Sequence, residues 1–354
     1  MVSIFQLIGP KPPNVDLSDN ITPRDNAVCI AMVTIAVISV MLRFYTRRRL
    51  QCVNLEIDDW AVAISLIPLI ALLVMTIIGG RYGLGKHIWG GSVDDLVALR
   101  KIVFAYIYIY YAVSATLKTS LVLLYRRIFG MKWTMWVCLI LSNGYCLVGG
   151  IVFLFATTPI KYFWMQSKDP FSGKENFNVY YFFISQVCLN IFADLLTLLV
   201  PIPLVWNLQM RKAQKIMISG IFLLALIPLA ANIPRLTYMI NLLTSVDASW
   251  VMSEVFVWST IEPSIGVLCA CLPTLNPMVR LVFKKVFGVE SYGPFGSYPH
   301  YAGKRSSKSQ EFRRFDVENR NESLRKGRQY PDDEIMLTTV ASLNEYDAVR
   351  EDTT

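Results

Sequence analysis

Apolar residues along this chain come in long unbroken runs rather than in alternation. The runs cover approximately 27–42, 60–78, 102–124, 133–157, 182–205, 216–243 and 251–275, seven in all. Most approach the length of about 20 residues that carries a helix across about 30 Å of hydrocarbon. Backbone inside lipid must satisfy its own hydrogen bonds, so each run is expected as a helix. Period-two alternation, the mark of a membrane barrel, is absent. The pattern predicts an all-α polytopic membrane protein, a seven-transmembrane-helix bundle with its N-terminus outside. Three regions follow: a short extracellular segment at 1–26, the helical domain at 27–285 and a disordered cytosolic tail at 286–354.

Charge placement orients this arrangement. The chain of 354 residues is 54% hydrophobic and only 17% charged, with a formal net charge of +8. From Lys284 onward acidic and basic residues balance, so the excess lies in loops on one side: Arg43 and Arg47–Arg49, then Arg126, Arg127 and Lys132, then Arg211, Lys212 and Lys215, then Arg280. Lysine and arginine collect in short cytosolic loops, which puts residues 1–26 outside and the tail in the cytosol. The first run is read as a retained helix. Acids lead it, arginines follow it, and no small-residue cleavage site intervenes. Membrane lipids are the partner that this basicity implies. Nucleic acid is not, because no exposed basic and aromatic patch lies outside the loops. The plasma membrane is the expected location. Residues 288–354 are polar and lack helical periodicity, the composition of a disordered tail.

Charged and amide side chains interrupt the apolar runs. Asn190 and Asp194 share a helix face with Gln186 and Thr197; Asn232 precedes Arg235 by three positions; Glu262 stands two turns after Glu254; and Lys118 lies in the last third of the third run. A charge at the centre of a span costs about 2.5–3.5 kcal/mol on insertion scales, so such groups are expected to face the bundle interior and to pair. Arg235 is expected to meet Glu262 or Asp194, and Lys118 to meet Asp194 or Asp59. Lys118, Asn190, Asp194, Asn232, Arg235 and Glu262 are therefore the candidate polar network or ligand site. Interhelical glue explains them as well as ligand response does. Pro228, Pro234 and Pro263 would free backbone carbonyls beside that network. The seventh run contains no lysine, so a retinal Schiff base in the usual seven-helix arrangement is excluded and no cofactor is expected. No catalytic or metal-binding residue is assigned.

The loops add candidates. Asp58, Asp59 and Trp60 open the second run, where acids suit the helix dipole and tryptophan suits the interface. Asp59, Arg126 and Arg127 are the residues expected to couple the bundle to a cytosolic signalling partner at the inner loops and tail. His87, in the glycine-rich segment after the second run, is expected to hold that loop by a hydrogen bond. Asn20 begins an Asn-Ile-Thr sequon and is the candidate glycosylation site.

Several segments together resemble one family. Asp58-Asp59-Trp60, Gly83-Leu84-Gly85-Lys86-His87-Ile88-Trp89, Lys118-Thr119-Ser120-Leu121 and Tyr125-Arg126-Arg127-Ile128-Phe129 come first. Leu189-Asn190-Ile191-Phe192-Ala193-Asp194, Pro201-Ile202-Pro203, Trp258-Ser259-Thr260-Ile261-Glu262 and Cys269-Ala270-Cys271-Leu272-Pro273 follow. In this order over about 27–285 they resemble the fungal rhodopsin-domain family, seven-helix receptor-like membrane proteins of filamentous fungi that include the satratoxin-cluster type. The resemblance implies architecture, a receptor-like role and a link to secondary-metabolite genes, with an unknown small-molecule ligand. It also marks a departure. Thr158 and Glu175 stand where family members carry two cysteines, which implies a looser outer loop here.

The sequence therefore predicts an orphan receptor-like membrane protein that senses an external or metabolite cue. A membrane-embedded accessory protein or cyclase-like enzyme of secondary metabolism is the alternative, with Asp194 and Glu262 as its acids. A transporter ranks below both, because no internal repeat is visible.

Overall fold

The structure, a computed structural model, describes residues 16–129, 133–199 and 212–287. Within them lie seven long helices: α1 Thr22–Tyr45, α2 Ile57–Arg81, α3 Val93–Phe129, α4 Trp133–Leu154, α5 Val179–Leu199, α6 Lys212–Thr244 and α7 Ala248–Phe287. The tail assigned to 286–354 lies outside the described residues, apart from the last turn of α7. As far as the described residues reach, each apolar run lies mainly on a helix. The chain is an all-α polytopic membrane protein: among the described residues six helices, α1 to α5 and α7, are long and apolar enough to cross a membrane. The side chains of α6 are described only from Leu226 onward.

Local chemistry sets the helix starts. Helix α1 begins at Thr22, five residues before its apolar run, because Pro23 suits a first turn and the Asn20 side chain accepts from Thr22 N–H at 3.0 Å. A capping box opens α2: the Glu56 side chain accepts a backbone N–H, and Asp59 accepts Glu56 N–H at 3.2 Å. Ser92 and Asp95 do the same for α3 at 3.1 Å each way. Helix α7 continues through Pro263 and Pro273 to Phe287.

Neighbouring helices pack in chain order, and α7 closes the ring against α1. Helices α3 and α7 also touch each other, which makes them the inner pair. Tyr106, Tyr110, Val113 and Leu117 of α3 join Val267, Ala270 and Cys271 of α7 in one apolar core. Outward faces are apolar too: Trp133, Ile140, Leu147 and Phe155 near or on α4 are exposed, as helix faces toward lipid must be.

One end of the bundle carries residues 16–21 and is called here the N-terminal face. There the segment after α2 folds back under α1 and α7. Gly83 and Gly85 take φ of 97° and 82°, which glycine adopts without penalty. Thr22 Oγ1 donates to Leu84 O at 2.7 Å, Ser249 Oγ donates to Gly83 O at 2.6 Å, and Asn20 bridges to Lys86. His87 Nδ1 lies 2.5 Å from Asp247, and its ring stacks on Trp250 at 4.3 Å. The hydrogen bond expected of His87 thus ties this segment to the start of α7.

The loop between α4 and α5 is not loose. Strands β1, Thr157–Thr158, and β2, Lys174–Glu175, pair antiparallel with Thr158 opposite Lys174 and Thr157 opposite Glu175. Asn176 Nδ2 donates to Phe155 O at 2.7 Å and Thr158 Oγ1 at 2.8 Å, and Gln166 donates to Glu175 at 2.8 Å. Hydrogen bonds thus join the two strands at Thr158 and Glu175, where the resemblance implies a pair of cysteines in other family members.

Candidate functional site

Helical spacing places Tyr110, Ser114 and Lys118 on one face of α3, and Asn190 and Asp194 on one face of α5. Asn232 and Arg235 of α6, Glu262 of α7 and Tyr145 of α4 point at the same volume. All six residues expected in the polar network are here, in one connected cluster.

Arg235 and Glu262 form its first ion pair, Nη1 to Oε2 at 3.0 Å, each no more than a tenth exposed. Tyr110 donates to both Glu262 oxygens at 3.0 and 2.9 Å and also accepts from Arg235 Nη1. The guanidinium lies over the Tyr110 ring, 3.9 Å from its centroid, a cation–π contact. Lys118 and Asp194 form the second pair at 3.1 Å. Lys118 thus takes Asp194, the first of its two expected partners, and not Asp59.

Asn190 joins the pairs. Its Oδ1 accepts from Lys118 at 2.7 Å, Tyr145 at 2.6 Å and Ser114 at 3.1 Å. Its Nδ2 lies 2.8 Å from Glu262, 3.1 Å from Tyr110 and 3.2 Å from Asn232 Oδ1. Asn232 in turn donates to Asp194 at 3.0 Å. Two cations face two carboxylates, so the cluster is neutral, and its partners come from five helices. That satisfies the requirement that a charge in a span be paired and hydrogen-bonded.

Space flanks the cluster on both sides. A cavity of about 70 Å³, bounded by Leu117, Lys118, Tyr125, Asp194, Glu262 and Cys269, lies on the side away from the N-terminal face. A second, of about 50 Å³, lies between Arg235 and the aromatic rings of Tyr106, Tyr111, Phe183 and Phe256. Beyond it, at the N-terminal face, is a third of about 310 Å³ whose rim includes Arg100, Gln166, Glu175 and Asn178.

Comparison with known proteins fits this architecture. The sequence profile of the fungal rhodopsin domain matches residues 42–281. The chain belongs to that family. A relative in Metarhizium anisopliae, the polyenoic acids biosynthesis gene cluster protein Ba17b, is 25% identical over 75% of this chain and 77% of that protein. A SAT4 family membrane protein of Emericella nidulans is 29% identical over 60% of this chain; the match spans 54% of that relative's length. No solved structure matches.

The other residues singled out in this family member sit elsewhere. Asp59 was expected on a coupling surface and is instead fully buried, because Arg43 Nε and Arg47 Nε lie 2.8 and 3.3 Å from its Oδ1. Arg43 is itself 0% exposed and also donates to Asp58 at 2.7 Å and to Ala270 O of α7 at 2.7 Å. This second cluster locks α1, α2 and α7 together. Arg127 joins its edge through Glu56 at 3.0 Å and Asp58 at 3.3 Å, while Arg126 is exposed. Asn20 is exposed; its Oδ1 accepts Thr22 N–H and its backbone bridges to Lys86.

Sequence reasoning missed Tyr110, Tyr145 and Ser114 as members of the network and Arg43 as a buried cation. Tyr110 and Ser114 had a signal in their helical register with Lys118. Tyr145 had none.

Proposed function

We propose that this protein is a receptor-like sensor of a small molecule and that the cluster around Asn190 is its responding element. The observation that carries this reading is the cluster's composition. It is neutral, joins five helices, and has cavities above and below it. A ligand entering either cavity changes which donor faces which acceptor, and the helices move with their side chains. Packed interfaces of this kind have discrete arrangements rather than continuous ones. Interhelical hydrogen bonds measured in membranes contribute about 0.6 kcal/mol on average, so a ligand can rearrange such a network.

The proposed topology has seven crossings, with the N-terminal face outside and the arginine-rich loops and tail in the cytosol at the plasma membrane. The positive-inside placement of Arg47–Arg49, Arg126 and Arg127 supports it. Exposed Arg126 and the tail are the proposed contacts for a cytosolic signalling partner. The name of the Metarhizium relative supports a link to secondary-metabolite genes. The alternative of a cyclase-like enzyme has less support, because Asp194 and Glu262 are both held in ion pairs.

The test uses three strains of the source fungus: deleted, complemented, and complemented with Glu262→Gln at equal membrane abundance. Transcription is read after exposure to extract of the fungus's own spent medium. The proposal expects a response that is lost on deletion and lost or strongly reduced in Glu262→Gln. A full response in the deleted strain would refute it.

A further inference from the structure

The cavities on the N-terminal-face side contain a feature that the sensor reading leaves unexplained. Arg235 is only 7% exposed, and its Nε has no hydrogen-bond partner among the described residues. Its Nη1 is already committed to Tyr110 and Glu262. Arg235 borders the 50 Å³ cavity and not the 70 Å³ one, so the spare donor belongs to the N-terminal-face side. Gln186 borders the same cavity, and its Oε1 is also buried without a partner. Two residues of the chamber wall thus each carry an unanswered polar atom, Arg235 a donor and Gln186 an acceptor.

We infer that this chamber and the 310 Å³ cavity above it form one binding site for a slender, uncharged apolar molecule bearing a terminal hydroxyl. A hydroxyl accepts from Arg235 Nε and donates to Gln186 Oε1; a carbonyl answers only the first. The two cavities share Val103, Phe183 and Met252 as walls, so these side chains form the partition that the molecule's body passes. Met252 is unbranched and adapts to an occupant. Apart from Ser259 the rest of the chamber wall is aromatic or aliphatic, which sets the apolar body. Charge sets the head group. Lys118 and Arg235 already balance Asp194 and Glu262, so a carboxylate would leave a net negative charge in a water-poor interior. The inference rests on the sensor reading for its purpose and names the ligand class that the sensor would take.

The probe is tritiated n-decanol, with the full chain purified into lipid nanodiscs and empty nanodiscs as the baseline. Saturable binding above that baseline is expected, with n-decane and n-decanoate competing about tenfold or more weakly, since a hydrogen bond to a charged group is at stake. Arg235→Lys keeps a cation beside Glu262 but removes Nε, and it is expected to erase the preference for decanol over decane. Met252→Trp fills the partition away from the ion pairs and is expected to abolish binding; it decides the matter if the lysine variant does not accumulate. Equal competition by decane, tighter binding of decanoate, or unchanged binding in Met252→Trp would overturn the inference. Saturable decanol binding with a full transcriptional response in Glu262→Gln would sink the sensor reading and leave the site standing. Loss of that response with no decanol binding would do the reverse.

Discussion

Asn190 has one amide oxygen and two amide protons, and side chains of four other helices lie within reach of them. Asn190→Leu keeps the volume and removes every one of those bonds. It is expected to lower stability by about 1–3 kcal/mol, the cost of leaving buried partners unanswered. Thermal unfolding of the detergent-solubilised protein measures it; a midpoint equal to the parent's would contradict the role given to Asn190. The charged members of this cluster were legible in the sequence because ionised groups are anomalous inside apolar runs. Tyr110 had only its register with Lys118 as a signal, because Tyr106, Tyr108 and Tyr111 share its run and composition does not say which hydroxyl turns toward Glu262. Asp59 misled for a related reason. Its place at a helix start is fully explained by capping, which it does perform, and nothing local reveals that Arg43 returns from sixteen positions earlier to bury it.

At the scale of elements, the segment after α2 works as a clasp between α1 and α7. A methyl group on Gly85 would lie 3.0 Å from Thr22 Oγ1 and 3.1 Å from both Ser253 Oγ and Thr22 N. One on Gly83 would meet nothing within 4 Å. Both glycines have positive φ, so both alanine variants carry backbone strain, of about 1 kcal/mol or more. Gly85→Ala adds a clash with α1 and α7 and is expected to be clearly the less stable of the two. Protease cleavage of intact membranes, followed at the N-terminal face, compares them; equal susceptibility would contradict the clasp. The glycine-rich pattern showed that a sharp turn occurs here. It did not show the clasp's targets, Thr22 and Ser249, which depend on how α1 and α7 pack. The helices themselves were legible almost entirely, since lipid permits little else for apolar runs of this length.

At the scale of the molecule, the proposed crossing number places the chain's two ends in different compartments. Epitope tags at each end, probed in intact and in permeabilised cells, are expected to show the N-terminal tag without permeabilisation and the C-terminal tag only with it. Both tags on one side would require an even number of crossings. What makes one object of α3 to α7 is the neutral cluster, and Arg235 with Glu262 is its most buried ion pair. Breaking such a pair from one side costs about 3–5 kcal/mol, while replacing both partners with apolar groups is often nearly neutral. The decisive measurement is therefore a double-mutant cycle on unfolding free energy with Arg235→Met, Glu262→Leu and the double variant. A coupling energy of about 1.5 kcal/mol or more, with the double variant more stable than either single one, is the predicted result. Strictly additive losses would mean that the two charges do not meet inside the bundle, and the account would fail.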